Sequence, residues 1–132
     1  MSDDDLIAGL EDCSLPEACF HHADHLHAAW VYLSRFPVLE AIDRFSRALR
    51  GYAAFLGKAD RYHETITWAY LLLLNERMRS GEAIANWNDF AAAHRDLFDW
   101  NDSILRKYYR KETLESEKAR MDFVMPDHRR TN

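Results

Sequence analysis

Glycine and proline are scarce in this chain of 132 residues, at four and three respectively. The few present fall where helices should stop, and almost no segment alternates apolar and polar residues with period two. A β-sheet is thereby excluded as the main architecture. Cysteine is scarcer still. Cys13 and Cys19 stand in a C-x5-C spacing that matches neither a zinc knuckle nor a C-x-x-C redox motif, and they read as free thiols of a reducing cytosol. Long apolar runs are missing too. The most apolar stretch, Trp68-Ala69-Tyr70-Leu71-Leu72-Leu73-Leu74, falls far short of the roughly 20 residues that span a bilayer. The first residues are acidic, unlike the basic start of a secretory leader. The expectation is a soluble cytoplasmic protein with no membrane partner. An excess of positive charge is also lacking. A net charge of −5 with scattered Lys and Arg excludes nucleic acid as the default partner, and the Arg129-Arg130 pair is too short to change that.

What is present suits a packed helical domain. Hydrophobic residues make up 48% and aromatics 13%, including Trp30, Trp68, Trp87 and Trp100. A chain of this length folds as one domain without disulfide or structural metal. The fold class expected is all-α, a single-domain up–down bundle of about four long helices with one or two shorter C-terminal ones. Residues 1–13, led by Asp3-Asp4-Asp5, read as a flexible acidic N-terminus, 14–127 as the bundle and 128–132 as a tail.

The Ser14-Leu15-Pro16-Glu17 string has capping-box spacing, so a turn or short helix is expected there. The first long helix should run from about His21 to Arg35 and stop at Phe36-Pro37. Its apolar stripe is Leu26, Ala29, Trp30 and Leu33. Extended one turn back, that stripe reaches His22 and His25, while His21 and His27 lean away. The second helix starts at Pro37 and ends at Gly57. Asp60 is the expected cap of a third, which Gly81 closes. Asn86 caps a fourth carrying Trp87, Phe90, His94 and Leu97. Shorter helices are expected around Asp102–Arg110 and Thr113–Asp122. Phe123–Asp127 should be extended, with its apolar residues pinned across the bundle.

Short connections make consecutive helices antiparallel, so the starts of helices one and three would share one end of the bundle. His22, His25 and His63 then converge, and the far part of helix four brings His94 toward them. Imidazole is the commonest metal ligand and the usual acid–base group near neutral pH. The site expected is a divalent metal (zinc, iron or manganese) held by His22, His25 and His63, with His94 or Asp24 as second-rank ligands. His63 and Glu64 are the candidate catalytic groups, Glu64 as a further ligand or general base. Arg61, Tyr62, Thr67, Tyr70 and Trp30 would bind a small polar or anionic substrate. The chemistry would be hydrolysis by metal-activated water or oxygen chemistry at iron. The spacing is not the His-Glu-x-x-His signature.

Two other readings stand beside it. One keeps the pocket without metal, with histidine acid–base catalysis and an anion seated at the helix N-termini. The other is a non-enzymatic module whose helix faces bind a partner protein. A homodimer is compatible with the abundant apolar helix faces, although no heptad seam marks one. His21, His27 and His128 are expected in solvent, and the Glu112–Arg120 charge run reads as a solvated helix face.

The strings Phe20-x-His22-x-x-His25-Leu26-x-x-Ala29-Trp30, Tyr62-His63-Glu64-Thr65-Ile66-Thr67 and Phe123-Val124-x-Pro126-Asp127 resemble a family of small bacterial all-helical proteins. The resemblance spans most of residues 20–127 and implies a helical fold, but it brings no activity with it. The DinB-like family is similar only by analogy, as three histidines in a helical bundle. The His-x-x-x-Glu and His-x-x-x-His spacings of hemerythrin-like proteins are missing.

Overall fold

In the computed structural model, which describes residues 1–80 and 86–128, every regular element is helical and no strand occurs among the described residues. Three long helices carry the core: α2 (His22–Arg35), α3 (Val38–Phe55) and α4 (Glu64–Arg79). Helix α2 packs on both α3 and α4, which also touch each other.

Each long helix follows its sequence pattern. The stripe of α2 buries Leu26, Ala29, Trp30 and Leu33. Asp24 accepts a hydrogen bond from the His21 backbone N–H at 2.9 Å, which closes the start of the helix. The extended Phe36 before Pro37 ends it. Ile42, Phe45, Leu49 and Tyr52 form the buried stripe of α3, and Gly57 supplies the left-handed turn after it, at φ +73. In α4, Leu71 and Leu74 are wholly buried.

The start of α4 differs from expectation. Asp60 lies in a 3-10 turn (Ala59–Arg61), and His63 is the cap, its Nδ1 accepting from the Ile66 N–H at 3.1 Å. Thr67 Oγ1 donates to the His63 carbonyl at 2.7 Å and fixes the same turn. Gly81, the expected stop of α4, lies outside the described residues, as do residues 129–132 of the tail.

The acidic start, read from the sequence as a flexible lead-in, is instead a helix, α1 (Asp3–Glu11). A Ser2–Asp5 capping box closes its first turn, where three aspartates suit the positive end of the helix. Leu6 and Leu10, one turn apart, are buried against the bundle. Asp3 reaches His27, Asp4 pairs with Arg35 at 2.6 Å, and Glu11 accepts from the Tyr32 hydroxyl at 2.6 Å. The Ser14 capping box does not form. The 3-10 turn Glu17–Cys19 starts after Pro16 with no side-chain cap.

The C-terminal third is more broken than its apolar spacing suggests. Helix α5 (Trp87–Ala93) begins as expected, with Asn86 Oδ1 accepting from the Asp89 N–H at 2.9 Å. It stops at His94 and gives way to a 3-10 turn, Arg95–Phe98. The helix expected near 102–110 is a single 3-10 turn (Ile104–Lys107), and that near 113–122 is split at Ser116 into α6 (Lys111–Glu115) and α7 (Glu117–Met121). The Ser116 hydroxyl accepts from the Ala119 N–H and donates to the Thr113 carbonyl, ending one helix and starting the next. The extended segment after α7 is pinned as expected. Phe123 stacks on Trp68 at 5.1 Å, the Val124 N–H donates to Thr65 Oγ1, and Tyr109 donates to the Val124 carbonyl.

Candidate functional site

Helices α2, α3 and α4 do not close completely on one another. Between them lies a cavity of about 410 Å³, within the size range of small-molecule pockets. Leu26, Ala29, Phe45, Tyr52 and Leu71 are the most buried residues that line it. Phe20, Tyr52, Tyr62, Tyr70 and Trp100 contribute rings to its walls. Exposed or half-exposed charges, Glu17, Lys58 and Arg61, lie at the rim. Glu17 and Lys58 pair with each other across it.

His22, His25 and His63 all line this one cavity. They enter from the first turn of α2 and the cap of α4, and their bonding differs. His63 is fully engaged. Its Nδ1 accepts from Ile66 N–H, and its Nε2 donates to the Leu114 carbonyl at 2.7 Å, tying α4 to α6. His22 donates from Nε2 to the Leu97 carbonyl at 2.9 Å, which leaves its Nδ1 with the lone pair. Its ring meets Tyr70 edge-on at 5.0 Å and Trp100 at 5.1 Å. His25 stacks on Phe20 at 4.0 Å, and no hydrogen bond among the described residues claims either of its nitrogens.

Burial holds all three imidazoles neutral. His25 is pushed down to about 4, by burial first and by the nearby His22 second. Burial also lowers His22 and His63, against the opposing pull of their carbonyl partners. Tyr62 is pushed up to about 12, by burial and by its hydrogen bond to Glu64. The cavity therefore offers neutral donors and acceptors in its walls and charge only at its rim.

Arg61, Tyr62, Thr67 and Tyr70 line the cavity as the sequence suggests. The Tyr70 hydroxyl is tied to Ser103 Oγ at 2.7 Å, which anchors the loop that carries Trp100. Four other candidates lie elsewhere. Glu64 is not on the cavity wall: its Oε1 accepts from the Tyr62 hydroxyl at 2.6 Å and from Trp68 Nε1 at 3.0 Å. Trp30, expected as a wall, faces a separate aromatic cluster with His27, Trp87 and Phe90. Asp24 serves as the start of α2. His94 packs on Phe90 at 4.5 Å and meets Arg77 at 3.1 Å, and Arg77 in turn holds Asp96. The early end of α5 leaves His94 in that ion-pair network.

His27, expected in solvent, is half-buried, stacked flat on Trp87 at 4.8 Å and bonded to Asp3 at 2.8 Å. The helical order of α1 puts Asp3 there. His21 and His128 are exposed.

These positions bear on the metal expectation. A metal ligand needs a free lone pair, and His63 has none left. Among the described residues, no three His, Cys, Asp or Glu side chains form a group that could hold a metal ion. The metal expectation therefore draws no support from the described residues.

Phe20, Tyr52, Lys58 and Trp100 are cavity residues that the sequence did not single out. Trp100 is 54% exposed, and its place beside Asn101-Asp102, outside any apolar stripe, was the one available signal. Comparisons with family models, curated proteins and solved structures gave no match to the chain. No helix among the described residues is long and apolar enough to cross a membrane.

Proposed function

We propose that this protein binds a small molecule with a largely apolar or aromatic body in the cavity between α2, α3 and α4. His25 would offer a polar contact in the cavity wall. The observation that carries this reading is the cavity itself, apolar at its most buried lining residues and walled by half-buried imidazoles, of which His25 has no hydrogen-bond partner among the described residues. His25 is half-buried, so its ring nitrogens are left to solvent or to a ligand that enters the cavity. His22 Nδ1 offers a second acceptor, and Thr67 and Tyr62 add hydroxyls. The reading takes α2, α3 and α4 in up–down order, so that the first turns of α2 and α4 open on one mouth.

The wall composition moves the ligand away from the small polar substrate that the histidines alone suggested. Catalysis by His25 as general base is compatible with the geometry, but a group that titrates near 4 accepts protons weakly at neutral pH. Binding therefore comes before turnover in this proposal.

The test is a titration with anilinonaphthalene sulfonate, a fluorescent aromatic probe, followed by Ala53→Trp. Ala53 lines the cavity without being fully buried, so an indole there fills space with little cost to the core. One-to-one binding in the native protein, lost in Ala53→Trp at unchanged melting temperature, supports the cavity. Binding that survives in Ala53→Trp places the probe elsewhere and overturns it. Stoichiometric zinc uptake that His25→Ala abolishes would replace this reading with the metal one.

A further inference from the structure

We infer that the occupant of this cavity is an amphiphilic monocarboxylate, which enters tail-first and seats its acid group between Lys58 and Arg61 by displacing Glu17. The inference rests on the cavity reading above and adds the charge and orientation of the ligand.

Polarity is graded along the cavity. Leu26, Ala29 and Leu71 are among the most buried lining residues, the imidazoles are half-buried, and formal charge appears only on the more exposed lining residues at the rim. A charged group deep in the cavity would lose its hydration with no opposite charge to meet it. An apolar tail suits those buried apolar residues, so the ligand's charge must stay at the mouth.

The rim also sets the sign. Lys58 and Arg61 are both cationic, whereas Glu17 is the single anion among the lining residues. Arg61 has no ion-pair partner among the described residues, and Lys58 is occupied only by Glu17. Both members of that pair keep contact with solvent, at 34% and 54% exposure. Exposed pairs of this kind contribute little to stability. Exchanging the Glu17 carboxylate for a ligand carboxylate therefore keeps the charge balance at Lys58 and adds Arg61 as a second partner. Glu17 sits on a 3-10 turn with no side-chain cap, just before Phe20 and the start of α2, so its side chain can swing clear without disturbing a long helix.

Glu17 then acts as a built-in competitor, and its removal should favour anions selectively. The experiment compares octanoate, octanamide and octylamine by calorimetry, with displacement of the fluorescent probe as a second readout. In the native protein octanoate should bind roughly tenfold more tightly than octanamide, and octylamine most weakly. Glu17→Gln should tighten octanoate several-fold and leave octanamide unchanged. The double variant Lys58→Gln with Arg61→Gln should abolish the preference while still binding octanamide. Equal or weaker binding of octanoate than octanamide, or a preference that survives the double variant, overturns the inference. The same holds if none of the three binds while Ala53→Trp still abolishes probe binding, and the cavity reading then stands. If Ala53→Trp leaves probe binding intact, the cavity reading itself has failed.

Discussion

His25 and His27 lie two residues apart on α2 and have opposite fates. His27 turns to the α1 side, stacks on Trp87 and holds Asp3. His25 turns to the cavity, stacks on Phe20 and holds nothing. One imidazole is spent on the fold, and the other is kept in reserve. Histidine content alone cannot separate them, because the difference lies in what the neighbouring chain brings to each ring. The contrast extends to His63, which lines the same cavity as His25 but is spent on capping α4 and tying it to Leu114.

The largest effect that tests this contrast is acid destabilisation. Unfolded His25 should titrate near the ordinary 6.5, whereas in the fold it titrates near about 4. Between those values the unfolded chain binds the additional proton, so stability falls as pH drops below about 6.5 and levels off near 4. The full span amounts to about 3 kcal/mol for this one group. His22 and His63 shift in the same direction and add to it. Urea unfolding at pH 7 and pH 4.5, in the native protein and in His25→Leu, isolates the His25 share. Equal losses in the two proteins would show that His25 is not held neutral by burial.

Next in size is His63→Ala. It removes the cap of α4 and leaves the Leu114 carbonyl without its donor, at a cost of about 2 kcal/mol. His63→Asn keeps a capping side chain and should recover part of the loss. A melting temperature unchanged in His63→Ala would mean that His63 is free after all, and its place in a ligand site would reopen. His27→Ala follows at about 1 kcal/mol, from the lost Trp87 stack and the partly exposed Asp3 bond. The Asp3→Asn variant should show a smaller fraction of that loss. A melting temperature raised in His27→Ala would remove the structural role assigned to this ring.

The long helices were legible because their signals are local. The α2 stripe at Leu26, Ala29, Trp30 and Leu33, the Pro37 boundary and the Gly57 turn each act within a few residues. That His22, His25 and His63 line one cavity was legible less directly, since the helix starts meet only once consecutive helices are taken as antiparallel. What failed depended either on distant partners or on local side-chain bonds that apolar spacing does not register. Asp3-Asp4-Asp5 looks like a solvated tail until His27 and Arg35 come to meet it. Ser116 splits a helix that apolar spacing alone would run through. Trp30 shares the α2 stripe with Leu26 but is claimed by Trp87 and Phe90 from α5. Glu64 looks like a free base until Tyr62 and Trp68 both donate to it. Whether a polar side chain is spare or spent depends on contacts, near or far in the chain, that apolar periodicity does not encode.

The smallest effect sharpens the contrast most. At neutral pH, His25→Leu replaces a ring that has no protein partner, so it leaves no donor or acceptor orphaned. Leucine is close enough in bulk to keep contact with Phe20. The change in stability should stay within about 1 kcal/mol in either direction, below the loss in His27→Ala, although both positions carry the same residue type on the same helix. The functional readout should run the other way. His27→Ala should leave probe binding in the cavity unchanged, whereas His25→Leu should weaken ligands that offer a hydrogen bond and spare those that offer none. A stability loss in His25→Leu larger than that in His27→Ala would mean that the His25 ring supports the fold, and the case for a ligand as its missing partner would fall with it.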